Sequence, residues 1–359
     1  MNPEVIITNI KKRYSGVSGT INALLPAQTK NLKIGFVGTN LPGAELAQKN
    51  NPENFIRLTL WQAICISSKA LANGRTRIWH VRRDPEMMLT ILLRDVLLFP
   101  IKIVFTSAAK HRHSWFPRWL ISKMDGVIST TPEAASFVPN TTKVVPHGIA
   151  LERFSPPENK LTIWERTGLP GKYGIGTFGR IREDKGSDIF VDAMINVLPD
   201  FPDWTAVLAG LCTPQHQNFQ DALKEKIAAV GLSDRIIFLG VIGPNHIVDW
   251  YQNVLVTVAC PRYEPFGLTP LEGMACASSV VASDTGAFRM IVDEGNTGYV
   301  IPTDSITALS TALRNMFSQP DHVAEMGNKG RARVVEQFSV EREAQGIQSV
   351  YESLCVSRI

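Results

Sequence analysis

The sequence predicts an α/β protein made of two doubly wound domains in series. The chain has 359 residues, which is more than one ordinary core organises. Short apolar runs alternate with longer helical patterns, as they do when helices join parallel strands that are buried on both faces. The alternation stops at a proline-rich segment and then starts again. Each half therefore predicts one Rossmann-like domain.

The strands expected in the first half are VIITNI, KIGFVG, RIWHV, KIVFT and GVIST. Those expected in the second half are YGIGTFG, TAVLAG, RIIFLG, VLVTVAC, SVVAS and TGYVIP. A polar break that contains Pro146, Pro156 and Pro157 separates the two sets. We therefore place the first domain at residues 1–150 and the second at 151–337. Ligands of open α/β sheets bind at the carboxyl ends of the strands, so we expect a cleft across which the two domains face each other.

The last segment, 338–359, predicts a helix that packs back toward the first domain. Its apolar residues recur at helical spacing, at Ile347, Val350, Tyr351 and Leu354.

The net charge of +4 conceals a strong asymmetry. Residues 1–150 hold 19 Lys and Arg against 8 Asp and Glu, a net charge of +11, whereas the rest of the chain carries −7. A basic domain joined to an acidic one predicts an anionic partner for the first. An anionic membrane and an acidic glycolipid both fit this charge. Nucleic acid fits it too, but no nucleic-acid-binding motif is present, so we expect no such partner.

Cysteine spacing and hydropathy exclude several other classes. The five cysteines are scattered without paired or metal-ligand spacing, which favours a reducing, cytoplasmic location and no structural zinc. Charged residues directly follow the first apolar run, so no signal peptide is expected. The longest apolar stretch, 96–105, is interrupted by Pro100 and Lys102 and is too short to cross a bilayer.

The strongest chemical signal is the segment ACPRYEPFGLTPLEGMA, in which seven residues separate Glu264 from Glu272. Pro270 is tolerated only in the first turn of a helix, so a helix is expected to begin near Leu268. The free amides at a helix start suit a diphosphate. Here they belong to Phe266, Gly267, Leu268 and Thr269. The two carboxylates would then lie on either side of this anion site and bind hydroxyls, unless they are only a solvated pair beside an ordinary helix.

A second signal is the segment GTFGRIREDKGSDIF. A strand is expected to end at Gly179 and a helix to start near Ser187, with Arg180 and Lys185 between them. Two cations at the end of a strand neutralise a diphosphate and stabilise it as a leaving group. A solvated basic loop is the alternative. The chain has no Asp-x-Asp sequence, so we expect no metal ion and no other cofactor.

These residues together resemble glycosyltransferase family 4, whose members are retaining enzymes of the GT-B fold. The resemblance covers nearly the whole chain. In the first half, KKRYSGVSGTI, IWHVRRDPEM and VFTSAAKHRHSWFPRWLISKMD are similar to the mannosyltransferases that build the inner core of lipopolysaccharide in alphaproteobacteria. This resemblance implies GDP-mannose as the donor and a Kdo-containing lipid A precursor as the acceptor. It also implies a front-face substitution in which the departing phosphate takes the acceptor's proton.

The resemblance also implies a role for each motif residue. Arg180, Lys185 and Glu264 are the expected catalytic residues: the two cations hold the diphosphate and Glu264 contacts the hexose near its 3-hydroxyl. The remaining expected donor-binding residues are Gly16, Gly179, Phe266, Gly267, Leu268, Thr269 and Glu272. Among them, Glu272 is expected to bind the ribose, and Gly16 lies in a glycine-containing loop after the first strand.

One position departs from the family pattern. Members often place a histidine at the end of a strand in the first domain, near the 6-hydroxyl of the sugar, where this chain has Thr106 and Ser107. His80, His111 and His113 lie nearby in sequence, and the sequence leaves open which of them, if any, lines the site.

The segment KHRHSWFPRWLISK combines aromatic and basic residues, including Trp115, Trp119 and Arg118. It fits an interfacial helix on an anionic bilayer or, equally, a helix that packs its aromatic rings on the sheet. The first interpretation predicts a peripheral protein on the cytoplasmic face of the inner membrane. Three alternative functions remain open: the same transfer from UDP-glucose or UDP-galactose, a sugar-nucleotide 2-epimerase, and a non-catalytic nucleotide-binding subunit.

Overall fold

A computed structural model describes residues 2–11, 16–72 and 74–355. The chain forms two compact units, and each is described by itself. Unit 1 comprises Met1–Gly148 together with Ser339–Ile359, and unit 2 comprises Ile149–Phe338.

Unit 1 contains a seven-stranded parallel sheet with the order β3-β2-β1-β4-β5-β6-β7. Its strands are β1 (Val5–Asn9), β2 (Ile34–Gly38), β3 (Phe55–Arg57), β4 (Arg77–Val81), β5 (Ile101–Ser107), β6 (Gly126–Ser129) and β7 (Lys143–Val144). Its helices in this part of the chain are α1 (Gly16–Gln28), α2 (Pro42–Asn50), α3 (Leu60–Ser67), α4 (Asp84–Ile91), α5 (Trp115–Ser122) and α6 (Pro132–Phe137).

Unit 2 contains a six-stranded parallel sheet with the order β10-β9-β8-β11-β12-β13. The strands are β8 (Tyr173–Phe178), β9 (Trp204–Ala209), β10 (Ile236–Gly240), β11 (Val254–Ala259), β12 (Ser279–Ser283) and β13 (Gly298–Ile301). The helices are α7 (Ser187–Val197), α8 (Gln217–Ala229), α9 (Ile247–Asn253), α10 (Thr269–Ala275), α11 (Phe288–Ile291), α12 (Ile306–Phe317) and α13 (Pro320–Gln337).

The last helix, α14 (Val340–Cys355), belongs to unit 1 and packs against α1 and β6. The apolar spacing that predicted it is the spacing of its buried face, because Ile347, Val350 and Tyr351 are each about 2% exposed or less. No helix among the described residues is both long enough and apolar enough to span a bilayer.

The direction of strand addition reverses once in each sheet. In unit 1 the reversal lies between β1 and β4, and in unit 2 it lies between β8 and β11. At such a switch point the chain leaves neighbouring strands in opposite directions, which opens a crevice at their carboxyl ends where ligands bind. The fold therefore offers one candidate crevice in each unit.

Candidate functional site

The predicted cations and the first glutamate meet at the switch point of unit 2. Since β8 and β11 pair in parallel, their carboxyl ends lie side by side. Arg180 and Lys185 follow β8, and Glu264 follows β11. All three line one cavity of about 90 Å³, together with Gly179 and Thr269. The adjacency of the two strands, and not their distance in sequence, brings these residues together.

Lys185 and Glu264 form an ion pair inside this cavity. The Lys185 Nζ lies 2.7 Å from the Glu264 Oε2, and the two side chains are 24% and 21% exposed. Arg180 is exposed and is not part of this pair. The cavity thus combines a carboxylate whose position a lysine fixes with a second cation that a ligand can reach. This arrangement suits an anion with an adjacent hydroxyl.

An arginine that the sequence analysis did not single out, Arg262, connects the segment after β8 with the loop after β11. The Arg262 guanidinium binds both carboxylate oxygens of Asp188, at 2.9 and 2.8 Å, and also contacts Asp304 at 2.7 Å. The main-chain N–H of Arg262 donates to the carbonyl of Asp184 at 3.0 Å. Lys185 lies in that segment and Glu264 in that loop, so Arg262 positions the ion pair.

Two glycines allow close packing at this edge. Gly186 precedes α7 with φ of +69°, and a Cβ there would lie 1.9 Å from the carbonyl oxygen of Cys260. Gly267 has φ of +86°, and a Cβ there would lie 2.3 Å from the ring of Phe288. Both values belong to the left-handed region that favours glycine. Gly267 is therefore required for packing, whatever it contributes to a ligand.

The predicted helix α10 is present, with Leu268 as its N-cap. Thr269 lines the cavity, whereas Phe266, Gly267 and Leu268 do not. The Phe266 side chain is 4% exposed, and its carbonyl accepts a hydrogen bond from the N–H of Ala287. The Phe266 side chain thus contributes to packing, and its main-chain carbonyl already has a hydrogen-bond partner.

Glu272 does not line this cavity, and it has a partner that the sequence did not reveal. Its Oε2 accepts a hydrogen bond of 2.6 Å from the hydroxyl of Tyr251. Burial raises the pKa of the Glu272 carboxyl, and the Tyr251 hydrogen bond opposes this shift. Burial also raises the pKa of Tyr251 well above its usual value, so the phenol stays a donor. Tyr251 thereby fixes the orientation of the glutamate.

The remaining predicted donor residue, Gly16, lies in unit 1 as the first residue of α1. In the described part of the chain, no atom lies within 4 Å of the place where a Cβ would be, so packing does not demand a glycine there. Lys12 and Arg13 of the same loop lie outside the described residues.

The three histidines have different environments. His80 is fully buried, with Nδ1 at 2.5 Å from the Tyr351 hydroxyl and Nε2 at 2.7 Å from the Thr106 hydroxyl. Burial lowers the pKa of His80 well below its usual value, and the nearby Arg82 charge adds to this shift. His111 is exposed, and His113 is half-buried. His80 is therefore a structural residue that contacts Thr106, the position at which the family often has a histidine.

The aromatic side chains of α5 are not core residues. Trp115 is 77% exposed, Phe116 36% and Trp119 46%, whereas Leu120 and Ile121 are buried. The helix thus packs its aliphatic residues on the sheet and presents its rings to solvent. The interpretation in which the rings pack on the sheet is wrong.

Among the described residues, no group of three or more His, Cys, Asp or Glu is placed to hold a metal ion.

Comparison with known proteins gives concordant matches. Residues 163–333 match the family described as Glycosyl transferases group 1. The lipopolysaccharide core biosynthesis mannosyltransferase LpcC of Rhizobium leguminosarum bv. viciae is 41% identical over 352 residues, which cover 98% of this chain and 96% of that protein.

Two solved structures are also similar. The C-terminal domain of a glycosyl transferase group 1 family protein (LpcC) from Francisella tularensis is 35% identical, covers 54% of this chain and 99% of its own, and has a TM-score of 0.52. HepE of Anabaena, in complex with UDP, is 14% identical. The match covers 98% of this chain and 100% of the HepE chain, with a TM-score of 0.80. These likenesses confirm the predicted fold class, α/β of the GT-B type.

Proposed function

Because the chain belongs to the glycosyl transferases of group 1, in the family of the lipopolysaccharide core biosynthesis mannosyltransferases, we propose that it transfers mannose from GDP-mannose to a Kdo-containing inner-core acceptor. As a glycosyltransferase it takes a nucleotide sugar donor and a glycan acceptor. The identity of the base, the sugar and the acceptor is the part that we propose.

The observation that carries the proposal is the cavity at the switch point of unit 2, where Arg180, Lys185 and Glu264 converge. The bond from the sugar C1 to the phosphate oxygen breaks, and a bond from C1 to the acceptor oxygen forms on the same face. The acceptor's proton passes to the departing phosphate oxygen. Arg180 and Lys185 stabilise the charge that develops on the diphosphate, and Glu264 orients the hexose. We propose that these cations act without a metal ion.

An exposed apolar surface in unit 1 supports a lipid-linked acceptor. The rings of Trp115, Phe116 and Trp119 are exposed on α5, and Leu97 and Leu98 are 52% and 79% exposed. Apolar side chains presented to water in this number indicate a binding surface.

A hydrogen bond links the segment that carries the exposed leucines to the end of α5. The Arg94 guanidinium, next to the exposed leucines, donates to the carbonyl of Lys123 at 2.8 Å. The Lys123 ammonium lies 5.8 Å from the centre of the Trp119 ring. Exposed rings beside cations are typical of proteins that bind an anionic bilayer from one side. We therefore propose a peripheral location on the cytoplasmic face of the inner membrane.

A donor screen tests the proposed function. The purified protein is incubated with GDP-mannose, UDP-glucose, UDP-galactose or UDP-N-acetylglucosamine, each with and without a Kdo-containing lipid acceptor. We expect acceptor-dependent transfer from GDP-mannose alone. Transfer from a UDP-hexose instead would contradict the donor, and conversion of UDP-N-acetylglucosamine without an acceptor would show a 2-epimerase.

A further inference from the structure

The switch point of unit 1 carries polar side chains that the reaction described above does not use. Asn9 ends β1, and Arg82 directly follows β4. The register pairs Ile7 with His80, so Asn9 and Arg82 stand at the same level on the same face of the sheet. These two residues form the polar edge of unit 1.

Arg82 is a buried cation whose head group is incompletely hydrogen-bonded within the described residues. Its side chain is 9% exposed, and its Nε and Nη1 atoms have no partner among the described residues. A buried donor that is left unpaired costs about 1–3 kcal/mol, and more when it is charged. An arginine kept in this state is expected to have a partner that the protein chain does not supply.

The carboxylates nearest to Arg82 are already engaged. Glu343 accepts from His147 Nδ1 and from the N–H of Gly148, both at 2.8 Å. Glu86 accepts from the Thr8 hydroxyl at 2.9 Å and from the main-chain N–H of Arg82 at 3.0 Å. Both carboxylates attract the Arg82 charge electrostatically, yet neither accepts from its Nε or Nη1.

The other unpaired atom of the polar edge, Asn9 Nδ2, is also able to donate. Asn9 Oδ1 accepts from Ser18 Oγ at 3.2 Å and from Arg83 Nη1 at 3.0 Å, which fixes the orientation of the amide. Asn9 Nδ2 then has no partner among the described residues. Guanidinium and amide N–H groups require a ligand rich in acceptor oxygens.

We propose that Arg82 and Asn9 bind an oxyanion of the glycan acceptor, either a carboxylate or a phosphate. This inference rests on the proposed function, since it names the group by which the acceptor is recognised. A guanidinium fork binds such a group in a bidentate manner, and the carboxyl ends of β1 and β4 are the position at which open α/β sheets bind ligands. The donor diphosphate has its own cations, Arg180 and Lys185, in unit 2.

The experiment measures KM for acceptor and donor in the wild type, Arg82→Gln, Arg82→Lys and a control, Arg75→Gln, whose side chain is 59% exposed. Three acceptors are compared: the intact Kdo-containing lipid, its carboxyl-reduced form and its dephosphorylated form. Removing one partner of a buried charge pair weakens binding by about 30-fold or more. We expect that increase in the acceptor KM of Arg82→Gln, a smaller one for Arg82→Lys, and none for Arg75→Gln. The KM for GDP-mannose is expected to be unchanged.

The acceptor series identifies the anion. With the wild type, one of the two modified acceptors is expected to have a KM raised as much as Arg82→Gln raises the KM of the intact acceptor. With Arg82→Gln, the same modification is expected to leave the acceptor KM unchanged. An unchanged acceptor KM in Arg82→Gln would overturn the inference, as would an equal loss on all three acceptors. A raised KM for GDP-mannose with an unchanged acceptor KM would assign the anion to the donor and also overturn it.

Two further measurements keep the test independent of folding and of the proposed function. Asn9→Asp keeps the oxygen that accepts from Ser18 and Arg83 but replaces the unpaired Nδ2 donor, and its acceptor KM is expected to rise about 5-fold or more. If the wild type transfers no mannose at all, the proposed function fails, and inorganic phosphate then probes the site directly. Phosphate is expected to raise the Tm of the wild type and of Arg75→Gln but not that of Arg82→Gln. Equal shifts in all three proteins would contradict the site.

Discussion

At the scale of single residues, the proposed function assigns the donor diphosphate to the two cations that follow β8. Arg180→Ala or Lys185→Ala is expected to reduce turnover by roughly 10²-fold, because each removes one contact to the charge that develops on the leaving group. The measurement is the initial rate of mannose transfer at saturating acceptor. Lys172→Ala is the matched control, since its side chain is 69% exposed. Wild-type turnover in both Arg180→Ala and Lys185→Ala would refute their assignment to the diphosphate.

His80 makes the stability of unit 1 depend on pH. Burial holds the pKa of folded His80 well below its usual value, so below about pH 6.5 the unfolded chain binds a proton that the folded chain does not. The free energy of unfolding therefore falls as the pH drops from 7.5 to 5.5, by up to about 1.4 kcal/mol per unit for one proton. His80→Gln is expected to flatten this dependence in urea titrations. His322→Gln, at an exposed position, is expected to leave it unchanged.

Residue chemistry alone predicted the cations and the glutamates but not the residues that hold them in position. The sequence allowed us to choose Arg180, Lys185 and Glu264, because each of them follows an apolar run that is typical of a strand. Tyr251 and Arg262 could not, because their roles depend on contacts with Glu272 and Asp188 that only the folded sheet creates.

At the scale of elements, Arg262 ties the loop after β8 to the loop after β11. Arg262→Lys keeps the charge but loses the bidentate contact with Asp188. We expect about a 10-fold fall in kcat/KM for GDP-mannose. If Lys185 and Glu264 are displaced from their positions, they stabilise the transition state less well. The thermal midpoint is expected to shift by only a few degrees. An unchanged kcat/KM would show that Arg262 contributes to stability alone.

The exposed surface of α5 is an element-scale feature with its own test. Trp115→Ala combined with Trp119→Ala is expected to weaken flotation with anionic liposomes at low salt, since both rings are exposed. The Tm and the rate of GDP-mannose hydrolysis in solution are expected to stay the same. Trp61→Ala, at a position 73% exposed on α3, is the control and is expected to float like the wild type. If wild-type protein ignores anionic liposomes at low salt, the membrane proposal is wrong.

Elements were predicted well where they are long and buried. All six strands of unit 2 are confirmed, as are the five expected in unit 1. The strands β3 and β7 were missed because they have only three and two residues and lie at the edges of the sheet. So short a run carries no periodicity to detect.

At the scale of the whole molecule, charge separates the two halves of the chain. Residues 1–150 carry +11 and the remainder carries −7. Each basic group near an anionic leaflet contributes about 1 kcal/mol, and salt screens this attraction. We therefore expect the wild type to float with anionic liposomes at low salt and to be released at high salt. Salt-independent flotation would assign binding to the apolar rings alone.

The central claim is metal-free transfer of mannose by the cavity at the switch point of unit 2. Its most direct test is the initial rate of transfer from GDP-mannose to a Kdo-containing lipid acceptor in the presence of excess EDTA. Arg180 and Lys185 supply the positive charge in this account, so the rate is predicted to equal that without EDTA. A rate that vanishes with EDTA and returns with Mn²⁺ would contradict it.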